Sequence, residues 1–369
     1  MENKLMLHYS LPELDLGQVK NLTTDLGITQ FVRAGAPSPG ATHTLDDNCK
    51  ALLLMCRHYE ITRHGPDLQY INTYFNFIRH CLQPEGYFLN HTDSQGKFTG
   101  QNNSVNLADS NGKAVWALGY LYSLRHCLPG SLTHQAEAII QQVLPRINYL
   151  HSTRAIASVI KGLYYYNSQN RQAGSSFIQA LADKLVHLYK HESEKNWQWF
   201  EKYLANDNSI LPHALLCAYR STGNTLYRDV AKTSFDFLLS HAFREEGVPA
   251  GRAYGKENAE EAALRNPQEI SYTIMALAAF YEEFGEQGYL LKMEKAFRWY
   301  LGSEQLYSIH YDPETGACFH GLEASPQPQQ DTASLLGYLL ARLTFEPYVY
   351  REPLLLTSEN QEGQRKQVA

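Results

Sequence analysis

Six times along the chain a helix with one apolar stripe sits beside a helix that is apolar nearly all round, and few folds accommodate that alternation. The all-round apolar segments are CKALLLMCRHYEI, GKAVWALGYLYSLRHC, AIASVIKGLYYY, ILPHALLCAY, ISYTIMALAAFYEEF and ASLLGYLLARLTF, starting near residues 48, 110, 154, 209, 271 and 332. Between them lie amphipathic stretches such as LQYINTYFNFIRHCL, His134 to Tyr149, Ser176 to Tyr189, Leu226 to Leu239 and Tyr289 to Leu301, with a first one read over Leu11 to Val32. A helix apolar on every side must be buried, and a helix with one stripe covers it. Six inner helices ringed by six outer ones give an all-α (α/α)6 toroid. The alternative, an open superhelical solenoid, favours uniform repeats, whereas these inner starts are roughly 44 to 62 residues apart. Residues 1–350 are expected to form this single domain, and residues 351–369 a polar, poorly ordered tail.

Composition narrows the partners. Thirty-two basic residues against 38 acidic give a net charge of -6, with no basic field for nucleic acid. Tyrosine occurs 25 times while charged residues make up 19%, which favours an aromatic-rich interior or cleft. The six cysteines are scattered with no CxxC pair, so a reducing compartment and no disulfide framework are expected. The start, MENKLMLHYSLPELDL, lacks the apolar core of a signal peptide, and no run reaches the roughly 18 to 20 apolar residues of a membrane span. A soluble, cytoplasmic protein is expected. The 15 histidines form no HExxH or similar spacing, and no Gly-rich phosphate loop joins a strand to a helix. Neither a metal nor another cofactor is expected.

The inner helices open on polar clusters, which the toroid should bring to one mouth. Capping alone would place Asp, Ser and Thr there, so only the surplus speaks for function. Asp46-Asp47-Asn48 exceeds what one cap needs and is a candidate for holding sugar hydroxyls. Asp109, with Lys113 and Trp116 on the same helix, is a proton donor, a hydroxyl ligand or only the cap. In NWQWFEKYLANDNSILPHALLCAY, Trp197 and Trp199 precede Glu201, which lies between Trp199 and Tyr203 just before Asp207-Asn208-Ser209. Flat rings can pack on pyranose C–H faces while carboxylates hold hydroxyls or move protons. The structural alternative is a buried Trp cluster with an Asp N-cap. Glu201 would have a raised pKa if desolvated, as a general acid needs. Gln268, Glu269 and Asp331 complete the ring. In YDPETGACFHGL a turn precedes His320, which is placed over the mouth or, more simply, belongs to the turn.

Together these segments resemble the (α/α)6 toroids of the six-hairpin glycosidase superfamily, in particular the type found alone or fused behind bacterial glycosyltransferases. The resemblance runs from about Gly27 to Leu343 and rests on four ordered stretches: THTLDDNCKALL, ADSNGKAVWALGY, NWQWFEKYLANDNSILPHALL, and WYLG with DPETGACFHGL. The group tends to carry acidic residues where this chain has Ala108, Ser271, Ala333 and His320. Asp46, Asp47, Asp109, Glu201 and Asp207 remain.

The resemblance implies a carbohydrate-active, glycoside hydrolase-like protein that acts on, or helps to make, an oligo- or polysaccharide. Glu201 is the favoured acid and Asp109 the second, with a base or nucleophile from Asp46, Asp47 or Asp207. Asn48, Asn208, Gln268, Glu269 and His320 would bind substrate, and Trp116, Trp197 and Trp199 would stack on it where exposed. The lost carboxylates equally fit a binding-only or scaffolding subunit that works with a glycosyltransferase. An isoprenoid or peptide cyclase on a similar toroid is disfavoured by the absence of DDxxD.

Overall fold

The structure is a computed structural model that describes residues 4–7, 9–30, 32–33, 36–37, 42–168, 174–243, 254–256, 267–302, 311–318 and 331–350. Its inner helices are α2 (Leu45–Thr62), α4 (Ala108–Ser123), α6 (Thr153–Asn167), α8 (Ile210–Thr222), α10 (Pro267–Phe284) and α12 (Thr332–Phe345). Each packs on the next, and α12 returns to α2, so the ring closes. The outer layer is α1 (Gly17–Asn21), α3 (Asp67–Cys81), α5 (Gly130–Ile147), α7 (Ser175–Glu192), α9 (Thr225–Ala242) and α11 (Gln287–Arg298). This is the (α/α)6 toroid the periodicity predicts.

Burial follows the sequence pattern. Every residue of α4 from Gly112 to Ser123 and every residue of α12 from Ser334 to Phe345 is buried, whereas α3 buries only a stripe, including Ile71, Tyr74, Phe75 and Ile78. The closest inner contact is between α4 and α6, where Gly119 and Gly162 face each other. A Cβ on Gly162 would lie 2.4 Å from the Val115 carbonyl oxygen, so any larger residue would force the two helices apart.

The first element differs from expectation. The apolar spacing over Leu11 to Val32 predicts one helix, but only Gly17–Asn21 is helical there. Asp15 accepts a bond from the Gly17 N–H at 2.7 Å and opens the helix. It then ends before Thr23, Thr24 and Gly27. The Thr24 N–H bonds the Gly27 carbonyl at 2.9 Å, and Ile28 is drawn onto the Asn48 side chain. Local side-chain bonds from threonine and aspartate compete with helix here.

Strand is confined, among the described residues, to four two-residue antiparallel pairs: 32–33 with 36–37, 43–44 with 91–92, 203–204 with 254–255, and 311–312 with 317–318. The second pair matters most for the site, because it brings Asn90 and His91 beside the start of α2. Residues 319–330 and the tail from 351 lie outside the described residues, and with them His320.

Candidate functional site at the toroid mouth

The starts of the six inner helices share one end of the toroid, and the caps there are only partly what the sequence suggests. Thr44, not an aspartate, caps α2: its hydroxyl oxygen accepts the Asp47 N–H at 3.1 Å, and it donates to the Asp47 carboxylate at 2.7 Å. Ser152 caps α6 and Asp331 caps α12. Asp207 caps nothing. Its backbone stands at φ 55°, a left-handed conformation that costs a non-glycine residue of order 1 kcal/mol or more. The surplus carboxylates are therefore Asp46 and Asp207.

Those two are joined by three further side chains into a closed circuit across the mouth. Asp46 receives Lys50 at 2.5 Å on one oxygen and Lys113 at 2.7 Å on the other. Lys50 also donates to the Gln268 Oε1 at 2.6 Å. The Gln268 amide donates to both Asp207 oxygens at 2.9 Å, and Lys113 lies 3.6 Å from Asp207. The circuit draws on α2, α4, α10 and the turn before α8, so it ties four of the six hairpins together. Burial alone would push the Asp46 carboxyl up, but the Lys113 and Lys50 ammonium groups overcome it and hold it below the usual carboxylate range. Burial would likewise lower Lys50 and Lys113, yet Asp46 first, and other nearby groups, raise both.

Glu269 sits beside this circuit in the first turn of α10. Both its oxygens face the Asn208 N–H, at 3.0 and 3.1 Å. Burial, and then the Asp207 carboxylate, push its pKa up to about 7. Asp47 is also raised, to about 6, chiefly by burial, but it is sealed on Thr44.

The other candidates are placed as follows. Glu201 is clamped by Arg154 at 2.5 Å and by the Thr153 hydroxyl at 2.7 Å, and so serves as an ion-pair partner. Asp109 is exposed and accepts from Ser152. The Asn48 amide is fully buried and bonded to the backbone of Ile28 and Thr44. Asn208 is buried as well, bonded to Ala205 and Arg154.

The tryptophans offer no open face. Trp199 is 0% exposed, Trp116 1% and Trp197 4%, and the last donates to the Glu201 carbonyl at 2.7 Å. They pack as core: Trp197 meets Phe237 edge-on and Trp199 meets Phe200.

Sequence reasoning missed Lys50, Arg154 and Tyr272. The Tyr272 hydroxyl is buried below the circuit with no hydrogen-bond partner among the described residues, and burial pushes its pKa up to about 12. An available signal for Lys50 was its i,i+4 spacing from Asp46, which reads as an ordinary surface pair. No cluster of three or more His, Cys, Asp or Glu among the described residues is placed to hold a metal ion.

No family model and no curated relative matches the sequence. Solved structures do. A cellobiose 2-epimerase from Bacillus thermoamylovorans B4167 superposes with a TM-score of 0.70 at 13% identity, over 90% of this chain and 95% of its own. The chain shares the (α/α)6 toroid fold of this structure. A D-mannose isomerase matches the same six-hairpin fold with a TM-score of 0.68 at 12% identity, over 89% of this chain and 94% of its own. An α-1,6-mannanase from Salegentibacter sp. HEL1_6 matches with a TM-score of 0.60 at 12% identity, over 90% and 96%. An inactive variant of that mannanase, solved with α-1,6-mannotriose, matches equally. Among the described residues no helix is long and apolar enough to cross a membrane.

Proposed function

We propose that the chain is a glycoside hydrolase-like protein that acts on an oligo- or polysaccharide at the toroid mouth, with Glu269 as proton donor and Asp207 as the paired carboxylate. The observation that carries this reading is the neighbourhood of Glu269. Its carboxyl is half-buried against the Asn208 N–H and beside Asp207, and is raised to about 7. A carboxyl of that pKa is partly protonated at neutral pH and can give its proton to a glycosidic oxygen as the bond to the anomeric carbon breaks. Asp207 either activates the attacking water or supports the positive charge that develops on the sugar ring. The Asp46–Lys50–Gln268–Asp207–Lys113 circuit fixes Asp207 against movement. The similar structures are a cellobiose 2-epimerase, a D-mannose isomerase and an α-1,6-mannanase, which makes a neutral glycan the first class to try.

The test is Glu269→Gln in the full chain, screened on neutral oligosaccharides for new reducing ends and for isomerised product. Turnover should fall by about 10²-fold or more while glycan binding persists. The alkaline limb of the pH–rate profile, near 7 in the parent protein, should disappear with it. A Gln variant that still turns substrate over at the parent rate excludes Glu269 as the acid.

A second reading draws on one specific observation, that the two surplus carboxylates are already saturated by lysine and glutamine donors. A catalytically inert glycan-binding subunit working beside a glycosyltransferase would retain such a circuit for rigidity. It predicts glycan binding with no turnover in the parent protein, unchanged in the Glu269→Gln variant.

A further inference from the structure

A cavity of about 290 Å³ lies between the starts of α4 and α6, the end of α5 and the loop before α4. Its floor is hydrocarbon: Phe88, Val115, Val143, Ile147 and Val159, each at most 3% exposed. Its rim carries Tyr87 and Tyr149, and Tyr149 is 78% exposed, more than any other large apolar side chain among the described residues.

Well-packed interiors do not leave such a space without something holding its walls apart. Here the loop from Gln83 to Phe88 is pinned on both sides. Asn111 receives the Phe88 N–H at 2.7 Å and donates to its carbonyl at 2.8 Å, which fixes the loop to α4. From α5, Gln142 donates to the Gln83 and Pro84 carbonyls at 3.3 Å, and Arg146 to the Glu85 carbonyl at 2.6 Å. The same Arg146 lies 5.6 Å from the Tyr87 ring centre and steadies the rim. Gly86 allows this closeness: its φ is +81°, and a Cβ there would stand 2.7 Å from the Gln142 carbonyl oxygen. The polar groups are turned to the walls, and the opening faces an apolar floor.

We infer that this cavity is an aglycone subsite, taking an aryl or short alkyl group attached to the sugar bound at the mouth. A floor of valine, isoleucine and phenylalanine offers nothing to sugar hydroxyls, and desolvating them there would cost free energy. A flat or branched hydrocarbon of one or two rings matches both the volume and the lining, and two tyrosines at the rim suit the junction between apolar body and polar sugar. Nearness to the helix starts selects the occupant: Ala108 lines the cavity, and its neighbour Asp109 is exposed at the start of α4 and accepts from Ser152 at the start of α6. This assignment rests on the reading of the mouth as a glycan site.

The experiment compares binding of naphthol, of naphthyl glycosides and of the methyl glycosides of the same sugars to the full chain, by calorimetry. Naphthol alone should bind one to one, and each naphthyl glycoside should bind at least tenfold more tightly than its methyl counterpart. Ala108→Trp, which fills the cavity from its open side, should abolish both the naphthol binding and the naphthyl preference. Tyr149→Ala should weaken naphthyl binding several-fold without disturbing the fold, because that ring is exposed. Failure of naphthol to bind overturns the proposal, as does a naphthyl preference that survives both substitutions. If naphthyl and methyl glycosides bind alike, the aglycone role falls while the carbohydrate reading of the mouth stands. If naphthol binds and no glycoside does, the carbohydrate reading falls and takes the aglycone role with it.

Discussion

Two buried lysines on adjacent inner helices meet opposite fates. Lys113 on α4 lies at the mouth, 2.7 Å from Asp46 and 3.6 Å from Asp207, and its pKa is driven well above normal. Lys161 on α6 lies deeper, 3.6 Å from the Trp116 ring centre and 3.2 Å from the His213 Nδ1, and no carboxylate among the described residues pairs with it. Burial brings its pKa down to about 7, and the same burial lowers His213 well below its ordinary value. Both lysines suffer desolvation, so the partner decides the sign. The mouth is consequently a fixed-charge frame, whereas the interior beneath it can lose its charge near neutral pH.

The largest effect that would break this comparison is on stability. Lys113→Met leaves Asp46 with one ammonium instead of two and Asp207 with only the Gln268 amide. Removing one member of a buried ion network costs about 3–5 kcal/mol, which should appear as a large fall in the denaturant midpoint. Lys161→Met removes a cation with no counter-ion, and at pH 7 it should be neutral or stabilising, because hydrocarbon replaces a poorly solvated amine. Equal losses from both substitutions would mean that the circuit is no stronger than the interior contact.

The pH dependence of stability comes next in size. The Lys161 pKa is about 7 in the folded chain against an ordinary 10.5, so between those values the unfolded chain binds more protons. Stability should therefore rise with pH across that window, and the penalty of burying the charge is felt in full below pH 7. Glu269 acts with the opposite sense at lower pH. Its pKa is raised from 4.5 to about 7, so the folded chain holds the extra proton, and stability should fall as pH rises from 4.5 to 7. In denaturant titrations taken at intervals from pH 5 to 10, the parent should gain on the order of a few kcal/mol between pH 7 and 10 that Lys161→Met does not. A Met variant that keeps the alkaline rise would assign it to another group.

How much of this was legible depends on whether a signal is local. The inner helices are legible because continuous burial leaves a continuous apolar run, as from Ala114 to Leu118 or from Leu335 to Leu340. The first stretch misleads for the same reason: Leu16, Val19 and Leu22 are buried and helically spaced, but Ile28, also buried, reaches the core from a segment beyond the helix that is tied to Asn48. At the site, the sequence offers Asp46, Asp207 and Gln268 as polar residues at helix starts, and the structure joins them. It cannot show that Lys50 turns inward, because an i,i+4 Asp–Lys pair looks the same on a solvated face. Nor can it tell an exposed tryptophan from a buried one, and all three weighed for stacking are core. Glu201 stands out in sequence for its aromatic neighbours, whereas Arg154, 47 residues earlier, determines what it does.

That last pair gives the smallest effect and the sharpest division of roles at the mouth. Glu201 and Arg154 are mostly buried, with side chains 17% and 12% exposed, and Arg154 also reaches Asn208 at 3.0 Å. Arg154 thus links the loop before α8 to the start of α6 and holds the residue whose N–H faces Glu269. Glu201→Gln keeps a hydrogen-bond acceptor for Arg154 and loses only the charge, so stability should fall by about 1 kcal/mol. If Glu201 only positions Asn208, turnover in that variant should stay within about tenfold of the parent, with its pH profile unmoved, while Glu269→Gln loses both. Turnover that collapses in Glu201→Gln and survives in Glu269→Gln would reverse the assignment and return the acid to Glu201.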